Sequence, residues 1–384
     1  MKKLFLCTTV LTASLFVADA MAASGPKITV GGVADAQIGV VDQDIETGVD
    51  VVTDQDVIFR NDNEIHFSID GKTEGGLEYG AVIQLEADVN DEQSGGVNAD
   101  RTYVYLQGAN WGRLEFGSND AASDTLKLDA DTFSRGTGGI GGDSRYYINN
   151  TAIVATATAS ATQAIIRPDL PLGNQFGVDA GEEYNKVTYY TPNFQGFQAG
   201  VSYTPNSANV GQSVNGLGAV EGVENVISIA AKYEGQFDQF GFGVAAAVDM
   251  GDAVDATAAT YSIEDLMAWN VGANFSFAGF TIGGSYSDQD DSLMTSNFES
   301  TYYTAAVAYA NEQFGASVGY FASEVDDSAN LAGVEFENIV ISADYNLAPG
   351  ILPYAEVAIF DIDSDVAAND NEGTVFLIGT ELTF

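Results

Sequence analysis

The sequence has one cysteine, one histidine and 7 prolines in 384 residues, with only 13 lysines and arginines beside 55 acids. A single cysteine excludes a disulfide framework and a cysteine-based zinc site. A net charge of −42 removes nucleic acid as a partner, because neutralising phosphates requires clustered cations. Long apolar runs are also missing beyond the N-terminus. The longest uncharged stretch, 187–220, is broken by Pro192 and Pro205, and 266–287 is interrupted by Asn270, Asn274, Ser276 and Thr281. Neither reads as a spanning helix, so a place in a membrane would require a closed barrel. A hydrophobic content of 46% is too high for a charge-driven disordered chain.

The N-terminus is a different kind of segment. Met1-Lys2-Lys3 is basic, 4–18 is mainly apolar, and Ala20-Met21-Ala22 closes it with small residues at alternate positions. This is the pattern of an export signal, with 1–22 removed by cleavage near Ala22. Cys7 leaves with it, as do Lys2, Lys3 and Asp19. The remainder, 23–384, reads as a single domain.

That remainder alternates. Phe376, Ile378, Thr380, Leu382 and Phe384 fall on one face of the last segment, and Val375, Leu377, Gly379, Glu381 and Thr383 on the other. Period two predicts strands with two different environments. Strands are expected near 27–40, 58–71, 77–89, 100–108, 112–118, 184–191, 196–204, 225–234, 237–249, 267–277, 280–287, 300–310, 313–324, 335–347, 351–360 and 374–384. Their links alternate between tight turns, such as Gly235–Gln236 and Ala278–Gly279, and long, mostly acidic loops such as 119–183. A sandwich has no reason to separate short links from long ones in this way. An all-β, antiparallel up-and-down transmembrane barrel of 16 strands does, with short periplasmic turns on one rim and long external loops on the other.

Several stretches carry a family likeness. They are Lys27 to Gly32 (KITVGG), Gly76 to Glu86 (GLEYGAVIQLE), Arg101 to Gly108 (RTYVYLQG), Trp111 to Gly117 (WGRLEFG) and Pro192 to Phe197 (PNFQGF), with Phe384 last. Across nearly all of 23–384 the chain resembles the Gram-negative general diffusion porins. The resemblance implies an outer-membrane homotrimer surrounded by lipid and lipopolysaccharide, passing small hydrophilic solutes by diffusion. It also implies that Phe384 is the signal read by the barrel-assembly machinery, and that the third external loop, 119–183, folds into the lumen as the constriction.

Charge placement points to where a pore would be lined. All cations after residue 22 lie between Lys27 and Lys232, and 233–384 has none. Strand parity puts Arg60 with Glu64 and His66, Arg101 with Tyr103 and Tyr105, and Arg113 with Glu115, opposite apolar residues. Lipid-facing charge at mid-membrane is costly, so these side chains are expected to face the lumen. Arg60, Arg101 and Arg113, with Lys186 and Lys232, would form a basic arc. Asp120, Asp124, Asp129 and Asp131 of the constriction loop would face it across the opening. The glycine-rich 136–142 lacks bulk and could pass close to the wall, and the Ala- and Thr-rich 152–164 reads as a small external cap. The acidic surplus favours cations over anions.

Lesser signals have simpler explanations. Asp361, Asp363 and Asp365, followed by Asp370 and Glu372, suit Ca²⁺ by chemistry but not by EF-hand spacing, and a solvated acidic loop accounts for them better. No other cofactor is suggested. His66, Ser68 and Asp70 share a strand face and so do not converge as a hydrolase site, which leaves no enzyme reading. Aromatics near strand ends, including Tyr189, Phe194, Phe197, Tyr203, Tyr233, Phe237 and Phe240, suit interfacial girdles. Two other functions stay open at this point. A substrate-specific channel would need a ladder of lumenal aromatics such as Tyr103, Tyr105 and Tyr190, and a structural or adhesive barrel would need a plugged lumen.

Overall fold

The computed structural model describes residues 24–45, 56–87, 98–148, 165–170, 184–207, 211, 223–253, 264–290, 299–326, 333–365 and 370–384. The leader 1–22 and the cap stretch 152–164 lie outside them. The strands are β1 Ser24–Ile45, β2 Val57–Lys72, β3 Glu78–Glu86, β4 Asn98–Gly108, β5 Gly112–Ser118, β6 Asn185–Tyr190, β7 Phe197–Asn206 and β8 Val223–Phe237. They continue as β9 Phe240–Ala253, β10 Leu266–Phe277, β11 Phe280–Gln289, β12 Ser300–Ala310, β13 Phe314–Val325, β14 Val334–Tyr345, β15 Ile351–Ser364 and β16 Asn371–Thr383.

Each strand pairs antiparallel with its sequence neighbours, and the sheet closes where β1 meets β16, from Val33 opposite Thr383 to Ile45 opposite Asn371. Closure leaves no sheet edge, which satisfies the backbone inside a bilayer. The chain end takes part: the Gly32 N–H donates to the Phe384 carbonyl at 3.1 Å, and the Phe384 N–H donates to the Gly32 carbonyl at 3.2 Å.

The alternation has a plain cause. Phe59, Val104, Phe116, Ile282, Val318, Ile341 and Phe376 are exposed on the outer face. The inward face is buried and of two kinds: polar or small side chains such as Gln37, Thr188, Ser202, Asn270, Thr304 and Asn338, and an apolar cluster that includes Phe321, Phe336, Val375 and Leu377. In water that outer face would be one large apolar patch; in lipid it is the matched surface. Aromatic rings gather at the short-turn rim, where Phe240 stacks on Phe277 with centroids 4.7 Å apart.

One expected turn is displaced. Gly235 and Gln236 continue β8, and the chain reverses at Asp238 and Gln239, with Asp238 in the left-handed region at φ 54°. Aspartate tolerates that conformation better than most residues. The space a Gly235 side chain would need is occupied by the rings of Phe242 and Tyr233.

Candidate functional site

The loop after β5 lies inside the barrel over 119–148 and 165–170, while 149–164 and 171–183 fall outside the described residues. It starts with the one-turn helix α1, Ala122–Leu126, which packs on β6 to β9. A 3₁₀ turn at Ala130–Phe133 then rests on β11 and β12, and another at Gly139–Gly141 on β13 and β14. A third, Asp143–Tyr147, reaches β15, β16 and β1. The loop therefore sweeps along most of the inner wall, and β2 to β5 form the arc facing its open side.

Polar side chains of the wall hold it in place. The Ala122 N–H donates to Ser202 Oγ at 2.8 Å, the Ala130 N–H to Thr304 Oγ1 at 3.1 Å, and the Arg135 N–H to Ser317 Oγ at 2.9 Å. Asp344 accepts from the Arg135 guanidinium at 2.5 Å and from the Gly136 N–H at 3.2 Å. Glu356 accepts from the Thr137 N–H at 2.8 Å and its hydroxyl at 2.9 Å. Two glycines permit the approach. A side chain on Gly272 of β10 would strike the Leu128 carbonyl, and one on Gly136, at φ 71°, would strike the Glu356 carboxylate.

The arginines expected in the lumen all point inward, but each meets its own acid. Arg60 contacts Asp62 at 2.8 Å and Asp143 at 3.0 Å, and its guanidinium lies 4.1 Å from the Tyr146 ring centroid. Arg101 pairs with Asp120 at 3.0 Å. Arg113 pairs with Glu115 at 2.5 Å and lies over Tyr105 at 3.8 Å. Lys186 and Lys232 sit apart from this arc. Lys186 is 2% exposed and donates to the Asn119 carbonyl, and Lys232, on β8, lies 3.5 Å from Glu234. Of the four loop acids, Asp120 meets the arc by direct contact, and Asp124 lies in the field of both Arg101 and Lys186. Asp124 pairs with Lys127 at 2.7 Å, Asp129 is buried against Asn270 at 3.0 Å, and Asp131 is half-buried beside Gly141.

Burial sets the protonation of these loop acids. It pushes Asp131 up to about 8, reinforced by the Asp129 charge and only partly opposed by Lys127. It also lifts Asp120 to about 6, the Arg101 guanidinium notwithstanding. Burial raises Asp124 too, but there the Lys127 ammonium outweighs it and the net direction is downward.

Asp143, Arg145, Tyr146, Asp344 and Glu356 are working parts that sequence reasoning missed. The inward parity of Asp344 and Glu356, in strands devoid of cations, was the available signal. Arg145 lies 4.4 Å from the Tyr146 ring and donates to its hydroxyl at 2.6 Å. The aromatics considered for a ladder are dispersed: Tyr190 is buried and donates to Thr125 at 2.9 Å, and Tyr105 donates to Asp70 beneath Arg113. His66 is bound to Glu64 at 2.5 Å. Asp361 and Asp363 stand in β15 on the outer face, and among the described residues no three such ligands converge as a metal site.

A closed antiparallel barrel with an apolar belt, a partly polar interior and a long loop laid along its inner wall is an outer-membrane channel. The chain belongs to the Gram-negative porin family, whose family model matches residues 8–365. Relatives include an uncharacterized protein of Rickettsia bellii, 25% identical over 369 residues that cover 79% of this chain and 80% of the relative. Another, from Rickettsia conorii, is 26% identical over 379 residues, covering 82% of each. Among solved structures, an anion-selective porin from Comamonas acidovorans matches with a TM-score of 0.61 at 17% identity, over 94% of this chain and 100% of that one. A loop L8 deletion mutant of OmpT, an outer membrane protein of Vibrio cholerae, matches with a TM-score of 0.59 at 11% identity, again over 94% and 100%. At these identities the structures speak for the fold.

Proposed function

We propose that this porin forms a water-filled channel for the passive diffusion of ions and small hydrophilic solutes, with a preference for cations. The observation that carries the preference is the pairing of the wall arginines. Arg60, Arg101 and Arg113 each hold a carboxylate at 3.0 Å or less, so little of their charge reaches a passing ion. The acids of a wall without cations from β9 onward then set the sign of the potential. Reversal potential in a planar bilayer under a KCl gradient tests this. A cation-favouring sign supports the reading, an anion-favouring sign sinks the preference, and absence of conductance sinks the channel.

The family likeness supports a finer reading, to which the density of external acids adds an ion bridge. The assembly is a homotrimer, Phe384 is the end recognised by the barrel-assembly machinery, and export ends with cleavage near Ala22. Divalent ions join the external acids to lipopolysaccharide. Support comes from register: Glu337, Asp361 and Glu372 stand opposite one another on β14, β15 and β16, with Glu335 opposite Asp363. Like charges so placed repel and favour a bridging cation. Thermal unfolding of the lipopolysaccharide-bound protein with and without chelator tests that bridge, and an unchanged midpoint would count against it.

A further inference from the structure

The third 3₁₀ turn of the constriction loop, Asp143–Tyr147, has one side on the wall and the other open. Tyr147 is buried against β1, where its ring fills the space a Gly39 side chain would need and its hydroxyl donates to Gln37 Oε1 at 2.9 Å. Asp143 accepts from Gln37 Nε2 at 2.5 Å, and its own N–H donates to Thr137 Oγ1 at 2.8 Å. Ser144 is buried as well, which leaves Arg145 and Tyr146 on the open side, with Tyr146 52% exposed. For a loop laid along the inner wall, the open side is the lumen.

Arg145 differs there from every other arginine. Arg60, Arg101, Arg113, Arg135 and Arg167 each contact a carboxylate, and among the described residues Arg145 contacts none. Its bonds go to neutral groups. Nη1 donates to the Gly141 carbonyl and, at 3.4 Å, to the Gly142 carbonyl, and Nη2 donates to the Tyr146 hydroxyl at 2.6 Å. The Nε–H and one Nη2 hydrogen have no acceptor among the described residues. The Tyr146 ring centroid lies 4.4 Å from this guanidinium and 4.1 Å from that of Arg60, so the ring fixes the plane of Arg145 and is itself backed by a paired arginine. A positioned, half-buried guanidinium is thus left with its charge uncompensated and donors to spare.

We propose that Arg145, positioned by Tyr146, binds the carboxylate of small monoanionic organic solutes in transit through the lumen. This rests on the channel reading above and is independent of the cation preference. A guanidinium offers a planar carboxylate two parallel hydrogen bonds, which a spherical chloride ion cannot accept in the same way. The neighbourhood sets the charge of the solute. Asp62 and Asp143 stand on Arg60, and Asp35 lies opposite Asp62 on β2 and opposite Glu381 on β16. One uncompensated guanidinium accommodates one negative charge, and the second charge of a sulfate would meet those acids. Carboxylates thereby gain a foothold that chloride lacks.

The test is the acetate-to-chloride permeability ratio, taken from reversal potentials of the full-length barrel in a planar bilayer between potassium acetate and KCl. The expected ratio exceeds that of the two ions' mobilities in water by about 3-fold or more. Arg145→Lys keeps the charge and loses the planar donors, so the ratio is expected to fall to the mobility value while chloride permeability stays. Tyr146→Leu leaves Arg145 its carbonyl bonds and removes its support, and should lower the ratio part of the way, with Tyr146→Phe restoring most of it. A wild-type ratio at the mobility value, or a raised ratio that survives in Arg145→Lys, would overturn the site. Sulfate preferred over acetate would overturn the monoanion assignment. Absence of conductance would sink the channel reading, and the site is then decided in detergent. Broadening of the carboxylate carbon resonance of acetate by the wild-type barrel and not by Arg145→Lys supports it, and equal broadening by both, or none, overturns it.

Discussion

Glu356 is the point at which the constriction loop is most open to a clean perturbation. Its carboxylate, 1% exposed, takes the Thr137 N–H at 2.8 Å, the Thr137 hydroxyl at 2.9 Å and the Ser342 hydroxyl at 3.1 Å. Two of these three donors belong to the loop. A hydrogen bond to a charged group is worth about 1.5–3 kcal/mol, so Glu356→Ala removes about 3–6 kcal/mol of attachment at Thr137. The Arg135–Asp344 pair and the Ala130 and Asp143 contacts remain, so the loop stays in the lumen while the segment around 136–142 loosens. Single-channel recording should then show current noise well above the wild-type level, with the barrel itself folded. Glu356→Gln keeps one acceptor oxygen and most of the side-chain volume, and should fall between the two. Glu356→Ala channels as quiet as wild type would refute the reasoning, because they would mean that the wall carboxylate does not hold the loop.

Other consequences can be measured independently. Arg101→Gln leaves Asp120 without its 3.0 Å partner, so the cation-to-anion permeability ratio should rise roughly 2-fold at low salt and the effect should fade near 1 M, where the Debye length is about 3 Å. An anion-ward shift would contradict the local-pairing account. Asp131 is raised by burial to about 8, so its neutral form favours the seated loop. That contribution is complete below the ordinary carboxylate range and is lost as pH climbs through about 8. Current noise should accordingly be greater at about pH 9 than at about pH 6, and Asp131→Asn should flatten the difference. Gly272→Val forces the Leu128 carbonyl off the wall, at a cost of about 1–3 kcal/mol, and should lower the thermal midpoint of loop release while leaving the barrel transition in place. Deleting Phe384 removes its paired bonds to Gly32, and the yield of heat-modifiable barrel in the outer membrane should drop several-fold.

The barrel was legible in the sequence because its two environments differ so sharply. Phe376, Ile378 and Leu382 face lipid while Val375, Leu377 and Gly379 do not, and the regular exchange of tight turns and long loops then separates a barrel from a sandwich. The turn after β8 lies beyond the expected Gly235–Gln236, because β8 runs on to Phe237. Gly235 makes room for the Phe242 ring, and Asp238 takes the positive φ. The inward direction of Arg60, Arg101 and Arg113 followed from parity, but their partners did not. Asp143 reaches Arg60 from 83 positions away along the chain, and no local pattern encodes that contact. Lys186 and Lys232 share a charge sign with the arginines and differ from them in depth and angular position, which only the register reveals. The anchors Asp344 and Glu356 are single acids in otherwise ordinary strands, and they acquire a purpose only once the loop lies over them.

The path of that loop also fixes the order in which the molecule can be assembled. Its residues emerge between β5 and β6, yet its partners Thr304, Ser317, Asp344 and Glu356 come 174 to 219 positions later in the chain. Contacts of such high sequence separation cannot form until the late strands exist, and they carry a correspondingly large closure entropy. The loop can therefore seat only when those strands are part of the sheet. A barrel lacking β14 and β15 would have most of its wall and no held constriction, so a seated loop reports a complete wall.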